Sequence, residues 1–474
     1  MIRLSSVPKL QGSLLPRAVD SQATYRRLQP LMPKVGVRYV LEITTLDTLG
    51  IPICFALGSL KPGIDMQVYA RQMLQIDETR IDQLMATVEV FSQDEPLPES
   101  SPVFAAGKGL TALDSRVSAM MEAVERFSAR KPTTSPSVSS FREIASQAEG
   151  RSIDPRSLIL VSPGTYKEDQ PLEWVTGSDI CSGDEVWLPA EAATYRYKPR
   201  QANSVCSDTP TGLGAGNNLE EAISHGLAEA IEHDAWTLAI ARSTIHSAQK
   251  GFLESLFEQQ SHDALDDEQF TGEVNHSFVP LDVASLRHVG PVADLIDQFQ
   301  RADTQVRLFD ITSDVGIPVF ASSVTGIPGG PDGGGLGAYP DARLAAVRAI
   351  TEAAQQRLLL GLRNPLLQER KISKWQPLPW EGSSANSQKG LIRRFEEVGS
   401  VSNIDIREDI RFMLESLKLR GLNQVIVVEL TKPELDVPVV KVVVPGLADY
   451  WTNAASPQWA ALGSRVMHYI HTPQ

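Results

Sequence analysis

Cysteine is scarce in this sequence: Cys54, Cys181 and Cys206 are the three in 474 residues, and no two stand as CxxC. A disulfide framework and a cysteine-based zinc site are thereby excluded. Basic charge is in deficit as well, with 44 Lys plus Arg against 58 Asp plus Glu and a net charge of −14. Such a field repels nucleic acid and anionic lipid, so no nucleic-acid or membrane role is expected. A phosphate-bearing ligand would need locally placed Arg, Lys or metal ions. Apolar runs are short: VIVVEL (425–430) and VVKVVV (439–444) fall far below the ~18 residues that span a bilayer. The opening MIRLSSVPKLQGSLLPRA has no apolar signal-peptide core. A cytoplasmic protein in a reducing compartment is the expectation.

What is present is ordinary globular material, 42% hydrophobic and 22% charged, which excludes wholesale disorder. Three polar stretches read as loops: 92–102 (SQDEPLPESSP), 131–140 (KPTTSPSVSS) and 371–389. An internal echo joins LEITTLDTLGIPIC (41–54), LFDITSDVGIPVF (308–320) and VVELTKPELDVPVVKVV (427–443). Each is a β-rich run, a Thr, a polar turn, then a proline opening a second β-rich run. That pattern predicts β-hairpins with proline at the start of the second strand, where a missing N–H is tolerated.

Between the hairpins lie helical patterns at 111–130, 219–242 and 341–362, each with one apolar stripe. Sheets and long amphipathic helices without strict βαβ alternation predict an α+β or mixed α/β fold. The polar faces of the helices share a spacing. The first carries Ser118, Glu122 and Glu125 with Arg126 adjoining, the second His225, Glu229 and Glu232, and the third Arg348, Glu352 and Gln355. Positions i, i+4 and i+7 stack on one helical face.

Pairs of glutamates three residues apart repel. If the faces share a cleft, divalent cations must sit among the carboxylates, and Mg²⁺ suits carboxylate oxygens, water and phosphates. Charged helix faces are also what any surface helix shows, so spacing alone leaves the plain reading open. A di-iron site is the poorer alternative, because its Glu-x-x-His pairs are missing. Gly107-Lys108-Gly109 and 212–218 (GLGAGNN) precede the first two helices and read as helix-entry turns. The amides of such a turn can bind an anion, though neither segment is a P-loop or GxGxxG. The glycine-rich 327–337 reads as a loop before the third helix.

With these segments in place, the sequence resembles the YcaO family. GKGLTALDSRVSAMMEAVERFSA (107–129) is similar to its first ATP-binding signature, S-x-x-x-E-x-x-E-R. TGLGAGNNLEEAISHGLAEAIEHDAW (211–236) resembles the second, YPDARLAAVRAITEAAQQRL (339–358) the third, and VPVVKVVVPGL (437–447) the family's C-terminal strand and turn. The resemblance implies a YcaO-type ATP-binding fold over 103–474, preceded by an N-terminal region, 1–102, with a hairpin and an insertion at 61–101.

It further implies ATP and Mg²⁺ as cofactors, with Glu122, Glu125, Glu229, Glu232 and Glu352 as the Mg²⁺ and phosphate-site carboxylates. Lys108, Ser118, Arg126, Arg348 and Gln355 become nucleotide contacts, with His225 where other members often have Ser. The implied chemistry is O-phosphorylation of a peptide backbone amide in a ribosomally made precursor peptide. No catalytic nucleophile is assigned, because the substrate supplies its own.

Azoline-forming cyclodehydratases of the family commonly end in Pro-x-Pro-x-Pro, whereas this chain ends SRVMHYIHTPQ. LDTLGIPI (46–53) and LGSR (462–465) look more like members working with a TfuA-type partner. The resemblance therefore points to thioamide formation with such a partner, and to a homodimer. The alternatives are azoline formation and a non-catalytic accessory role in ribosomal-protein methylthiolation.

Overall fold

The structure, a computed structural model, describes residues 2–11, 15–58, 66–72, 77–91, 104–160, 166–200, 204–258 (side chains to 243), 277–327, 332–362 and 392–449. The polar stretches 92–102 and 371–389, LGSR and the terminal HYIHTPQ lie outside these residues. In chain order the elements begin with α1 (Ser21–Leu28), β1 (Tyr39–Glu42), β2 (Ile53–Leu57), α2 (Met66–Gln72), α3 (Glu78–Met85), β3 (Glu89–Val90), β4 (Phe104–Lys108) and α4 (Ala112–Ser128). Next come β5 (Ser137–Ser140), α5 (Phe141–Gln147), β6 (Pro171–Asp179), β7 (Glu185–Pro189), β8 (Leu213–Ala215) and α6 (Leu219–Glu258). Then follow β9 (Val279–Pro280), α7 (Gly290–Arg301), β10 (Val306–Asp310), β11 (Val319–Val324), β12 (Gly333–Ala338), α8 (Ala342–Gly361), α9 (Ile406–Lys418), β13 (Ile426–Glu429) and β14 (Val439–Val443).

The strands form three antiparallel sheets, ordered β3-β1-β2-β4, β12-β11-β10-β9 and β5-β6-β13-β14-β8, with β7 beside β6. This is a mixed α+β architecture, as expected. The segment 131–140 differs from its reading as a loop, because its second half is β5, paired with β6. Ser and Val tolerate an edge strand as readily as a loop. Residues 66–90 of the expected insertion supply α2, α3 and β3, the last paired with β1 at the edge of the first sheet. That sheet also crosses residue 102, since β2 pairs with β4.

The three echoed segments are three hairpins, β1–β2, β10–β11 and β13–β14. Each repeats the same polar detail. Thr44, Thr312 and Thr431 accept hydrogen bonds from Ile53, Val319 and Val439, the first N–H of each second strand, at 3.2, 3.1 and 3.1 Å. The preceding prolines repeat too: the carbonyls of Pro52, Pro318 and Pro438 accept from Gly109, Tyr339 and Gly216 at 3.2, 3.2 and 3.1 Å. Those acceptances tie each hairpin to a third strand, β4, β12 or β8, which leads into α4, α8 or α6. The chain is thus built on three equivalent units of hairpin, strand and long helix. The third takes its hairpin from the C-terminal region.

Each helix starts on a side-chain cap, Thr111 for α4, Asn218 for α6 and Asp341 for α8, which satisfies an otherwise unpaired first-turn N–H. It then folds back onto its own strand. A Cβ on Gly107, Gly214 or Gly337 would stand 2.1 Å from the backbone oxygen of Ser115, Ala222 or Ala345. Gly333 and Gly335 would meet Ala353 and Ala349 oxygens at 2.3 Å. This corrects the reading of 327–337 as a loop, since its second half is β12. Glycine is required there because helix backbone rests directly on the strand, a tertiary constraint that composition does not carry. Gly107 and Gly214 are likewise packing residues, not helix-entry turns.

Each helix's other flank covers the back of the next sheet. Ala119, Met120, Ala123 and Val124 of α4 pack with Ile426, Val428 and Val439 of the third sheet. Leu358 and Leu359 of α8 pack with Leu41, Ile53 and Phe55 of the first. Ile223, Leu227 and Ile231 of α6 join Phe309, Val319 and Ala321 of the second. The ring closes, and the three polar helix faces turn toward its middle.

Gly214→Ala is expected to cost about 3 kcal/mol, the upper end for overpacking, because backbone atoms of α6 must retreat. Gly399→Ala has nothing within 4 Å of the added Cβ and serves as control. Thermal unfolding checks both; equal midpoints would show that α6 yields without cost.

Candidate functional site

The three units align residue for residue. Gly107, Gly214 and Gly337 each meet the helix at the same offset. The same register places Ser118, His225 and Arg348 at one level, Glu122, Glu229 and Glu352 at the next, and Glu125, Glu232 and Gln355 at the third. The shared spacing in the sequence is therefore the signature of structural equivalence. The equivalence is what makes the faces converge.

Contacts between units show the convergence. Lys108 at the end of β4 pairs with Glu352 of α8 at 2.6 Å. Glu232 of α6 accepts the N–H of Ala338, at the end of β12, at 2.8 Å. Within the first unit, Glu122 accepts from Ala106 at 3.0 Å and pairs with Arg126 at 3.2 Å. Arg126 in turn lies 4.9 Å over the ring of Tyr195.

The Glu125 carboxylate receives no hydrogen bond from a described residue, although the residue is partly enclosed. Desolvation first, then the charges of Glu229 and Glu122, push its carboxyl up to about 8, against the pull of Arg126 and Lys441. Desolvation, with Glu352 next, raises Glu232 to about 7, and desolvation raises Glu229. Surrounding protein, then Arg348 and Lys108, push the His225 imidazole down, though its edge stays open to solvent. The charges on all three helices therefore act on one another across one cleft. Gln355 is buried, and its amide nitrogen has no hydrogen-bond partner among the described residues. Ser118 is half-buried on the same face. All of the sequence-predicted residues fall on these converging faces or at the strand end beside them.

Among the described residues, no three His, Cys, Asp or Glu side chains cluster closely enough to hold a metal by themselves. That matters for which cation fits. Ca²⁺ and Zn²⁺ sites are built mainly from protein ligands, whereas Mg²⁺ binds through one or two carboxylates, water and substrate phosphates. An all-oxygen set of separated carboxylates suits the latter.

Sequence reasoning missed three polar residues beside the cleft. Lys441 on β14 is buried, donates to the Thr209 carbonyl at 2.6 Å, and is pushed down to about 8 by desolvation against the pull of Glu229 and Asp449. Burial disfavours the charged ring of His233, but its hydrogen bond to Asp449 and the charges of Asp449, Glu229 and Glu232 hold it up at about 9. The two lie 3.5 Å apart. A lysine in the middle of VVKVVV was the available signal. Asp449 carried none, because its partner is 216 residues away by the difference of the two numbers.

The family described as YcaO cyclodehydratase, ATP- and Mg²⁺-binding, matches residues 106–448. The chain belongs to the YcaO family. ATP and Mg²⁺ are the cofactors of that family. Among relatives, a Methanothermobacter thermautotrophicus protein is 29% identical over 91% of this chain and 95% of its own length. A Rhizobium leguminosarum bv. trifolii protein, described as lying in the tfuA 3′ region, is 28% identical over 96% of this chain and 93% of its own.

Among solved structures, a YcaO from Methanopyrus kandleri bound with AMPPCP and Mg²⁺ matches 94% of this chain and 96% of its own, at TM-score 0.56 and 21% identity. A heterocyclase in complex with substrate and cofactor matches at TM-score 0.62 and 19% identity, over 96% of this chain. This chain spans 55% of that heterocyclase's length. At such identities the structures establish the YcaO fold. No described helix is long and apolar enough to cross a membrane.

Proposed function

We propose that this YcaO protein uses ATP and Mg²⁺ to phosphorylate a peptide backbone amide on oxygen, in thioamide formation with a TfuA-like partner protein. The observation that carries the reading is the convergence of three helix faces, where burial and neighbouring carboxylates raise Glu125 to about 8 and Glu232 to about 7. A scaffold has no use for that crowding, which favours an enzyme over an accessory protein. The likeness to a relative from a tfuA region supports the choice of partner.

The residues fit the cofactors. Glu122, Glu125, Glu229, Glu232 and Glu352 would hold Mg²⁺ one or two at a time, leaving its other positions to phosphate and water. Lys108, Arg126 and Arg348 would neutralise phosphate oxygens, and the orphaned Gln355 amide offers a donor. Ser118 and His225 complete the cleft wall. When bound, MgATP supplies the phosphoryl group that the amide oxygen accepts, so that the oxygen later leaves as phosphate when sulfide attacks the amide carbon. The chain's own work is to position that oxygen in line and spread the developing charge. The protein is proposed to act as a homodimer on a ribosomally made precursor peptide.

Mass spectrometry of the peptide decides the product. With sulfide, MgATP and a TfuA-like partner, the expected change is a gain of about 16 Da, oxygen replaced by sulfur, whereas cyclodehydration removes about 18 Da. Loss of water at Cys, Ser or Thr without sulfide would establish the azoline reading instead.

A further inference from the structure

The segment that follows Thr194, YRYKPR, alternates in space as it does in sequence. Tyr195 and Tyr197 are half-buried, and Arg196, Lys198 and Arg200 are exposed. Its backbone and rings are tightly anchored. Tyr195 donates its N–H to the Ala129 carbonyl at the C-terminal end of α4, at 2.9 Å. The Asp208 carboxylate accepts the Arg196 N–H. Glu173, buried on β6, accepts both the Tyr197 hydroxyl and the Arg200 N–H, the latter at 2.8 Å. The nearby carboxylates are thus engaged by backbone and phenol groups. No described carboxylate pairs with the side chains of Lys198 or Arg200.

Arg196 takes a left-handed backbone, φ 56°, and its guanidinium stands 5.3 Å from the Tyr195 ring centre. The same ring lies under Arg126 of the cleft at 4.9 Å. Three exposed cations on a fixed backbone, none of them in an ion pair with a described carboxylate, therefore lead up to the candidate site, while Asp208 and Glu173 are turned to backbone and phenol donors, in a chain whose net charge is −14.

We propose that residues 195–200 form a docking strip for an acidic stretch of the peptide substrate, whose carboxylates pair with Arg196, Lys198 and Arg200. This rests on the amide-activation reading and gives its substrate a charge. The strip's cations attract acidic side chains at close range. The overall negative field, screened beyond about 8 Å at physiological salt, still opposes a long polyanion such as nucleic acid. Fixed backbone also lowers the ordering cost of binding.

The test is fluorescence anisotropy with a short labelled glutamate-rich peptide and its glutamine counterpart, on the full chain. The wild type is expected to prefer the acidic peptide. Lys198→Glu with Arg200→Glu should weaken it roughly tenfold, as two exposed pairs become repulsions, with the difference shrinking in high salt. Lys198→Arg with Arg200→Lys should keep the binding, since charge rather than shape is read. Equal binding of the acidic peptide by the charge-reversed variant, equal binding of the glutamine peptide, or displacement of the peptide by a single-stranded oligonucleotide would each overturn the proposal. MgATP affinity, measured on the same samples, should not change between wild type and variant. A variant that lost both ligands would overturn the strip as a separate docking element. A wild type that bound the acidic peptide but no MgATP would instead sink the amide-activation reading and leave the strip standing.

Discussion

Glu125→Gln and Glu232→Gln are each expected to cut ATP turnover by at least about 100-fold while the chain stays folded, on the scale of losing one charge-stabilising group in a preorganised site. Both changes are nearly isosteric and remove a carboxylate that the converged faces crowd. Their effect on stability runs the other way. Burial and neighbouring carboxylates raise Glu125 to about 8 in the folded chain. The unfolded glutamate loses its proton near its ordinary value of about 4.3. Between those values the folded state binds more protons than the unfolded one, so metal-free stability falls as pH rises. Glu125→Gln removes that slope. The variant should match the wild type at acid pH and exceed it near pH 8, by thermal unfolding in EDTA. Full turnover in either variant would show its carboxylate to be a bystander; a wild-type unfolding profile flat with pH would show that Glu125 is not crowded.

Much of this site was legible because its determinants are local. Spacing i, i+4, i+7 put Glu122 and Glu125, Glu229 and Glu232, and Glu352 and Gln355 each on one helical face. The hairpin echo was legible because Thr44, Thr312 and Thr431 make the same short-range bond in each turn. Spacing did not say that the faces converge. Convergence follows from Gly107, Gly214 and Gly337, which let three helices lie down on three strands in one register. In the sequence those glycines read as helix entries or as a loop. The His233–Asp449 pair and the burial of Lys441 depend on β14 lying beside α6, which joins residues far apart in the chain. The buried pair Arg357–Asp47, at 3.1 Å, is likewise a product of α8 covering the first sheet. Such pairings are properties of the closed ring of units.

The closing expectation is that nucleotide binds only with Mg²⁺ and expels protons as it does so. At neutral pH the metal-free cleft holds protons on Glu125, whose carboxyl sits at about 8, and partly on Glu232, at about 7. A divalent ion beside the same carboxylates favours their charged form, so each bound Mg²⁺ must displace protons into the buffer. Calorimetry in two buffers of different ionisation enthalpy should then give different apparent heats, and the difference counts the protons released. Release should shrink, and affinity rise, as pH climbs from about 6 to about 9, because the carboxylates arrive already ionised. EDTA should abolish binding, since ATP adds negative charge to a cleft where Lys108 and Arg126 are already paired with Glu352 and Glu122. Glu125→Gln should lower the number of protons released, because amide nitrogen carries none. Identical heats in the two buffers would mean that these carboxylates are not the ones facing Mg²⁺, and undiminished affinity in EDTA would remove the metal from nucleotide binding altogether.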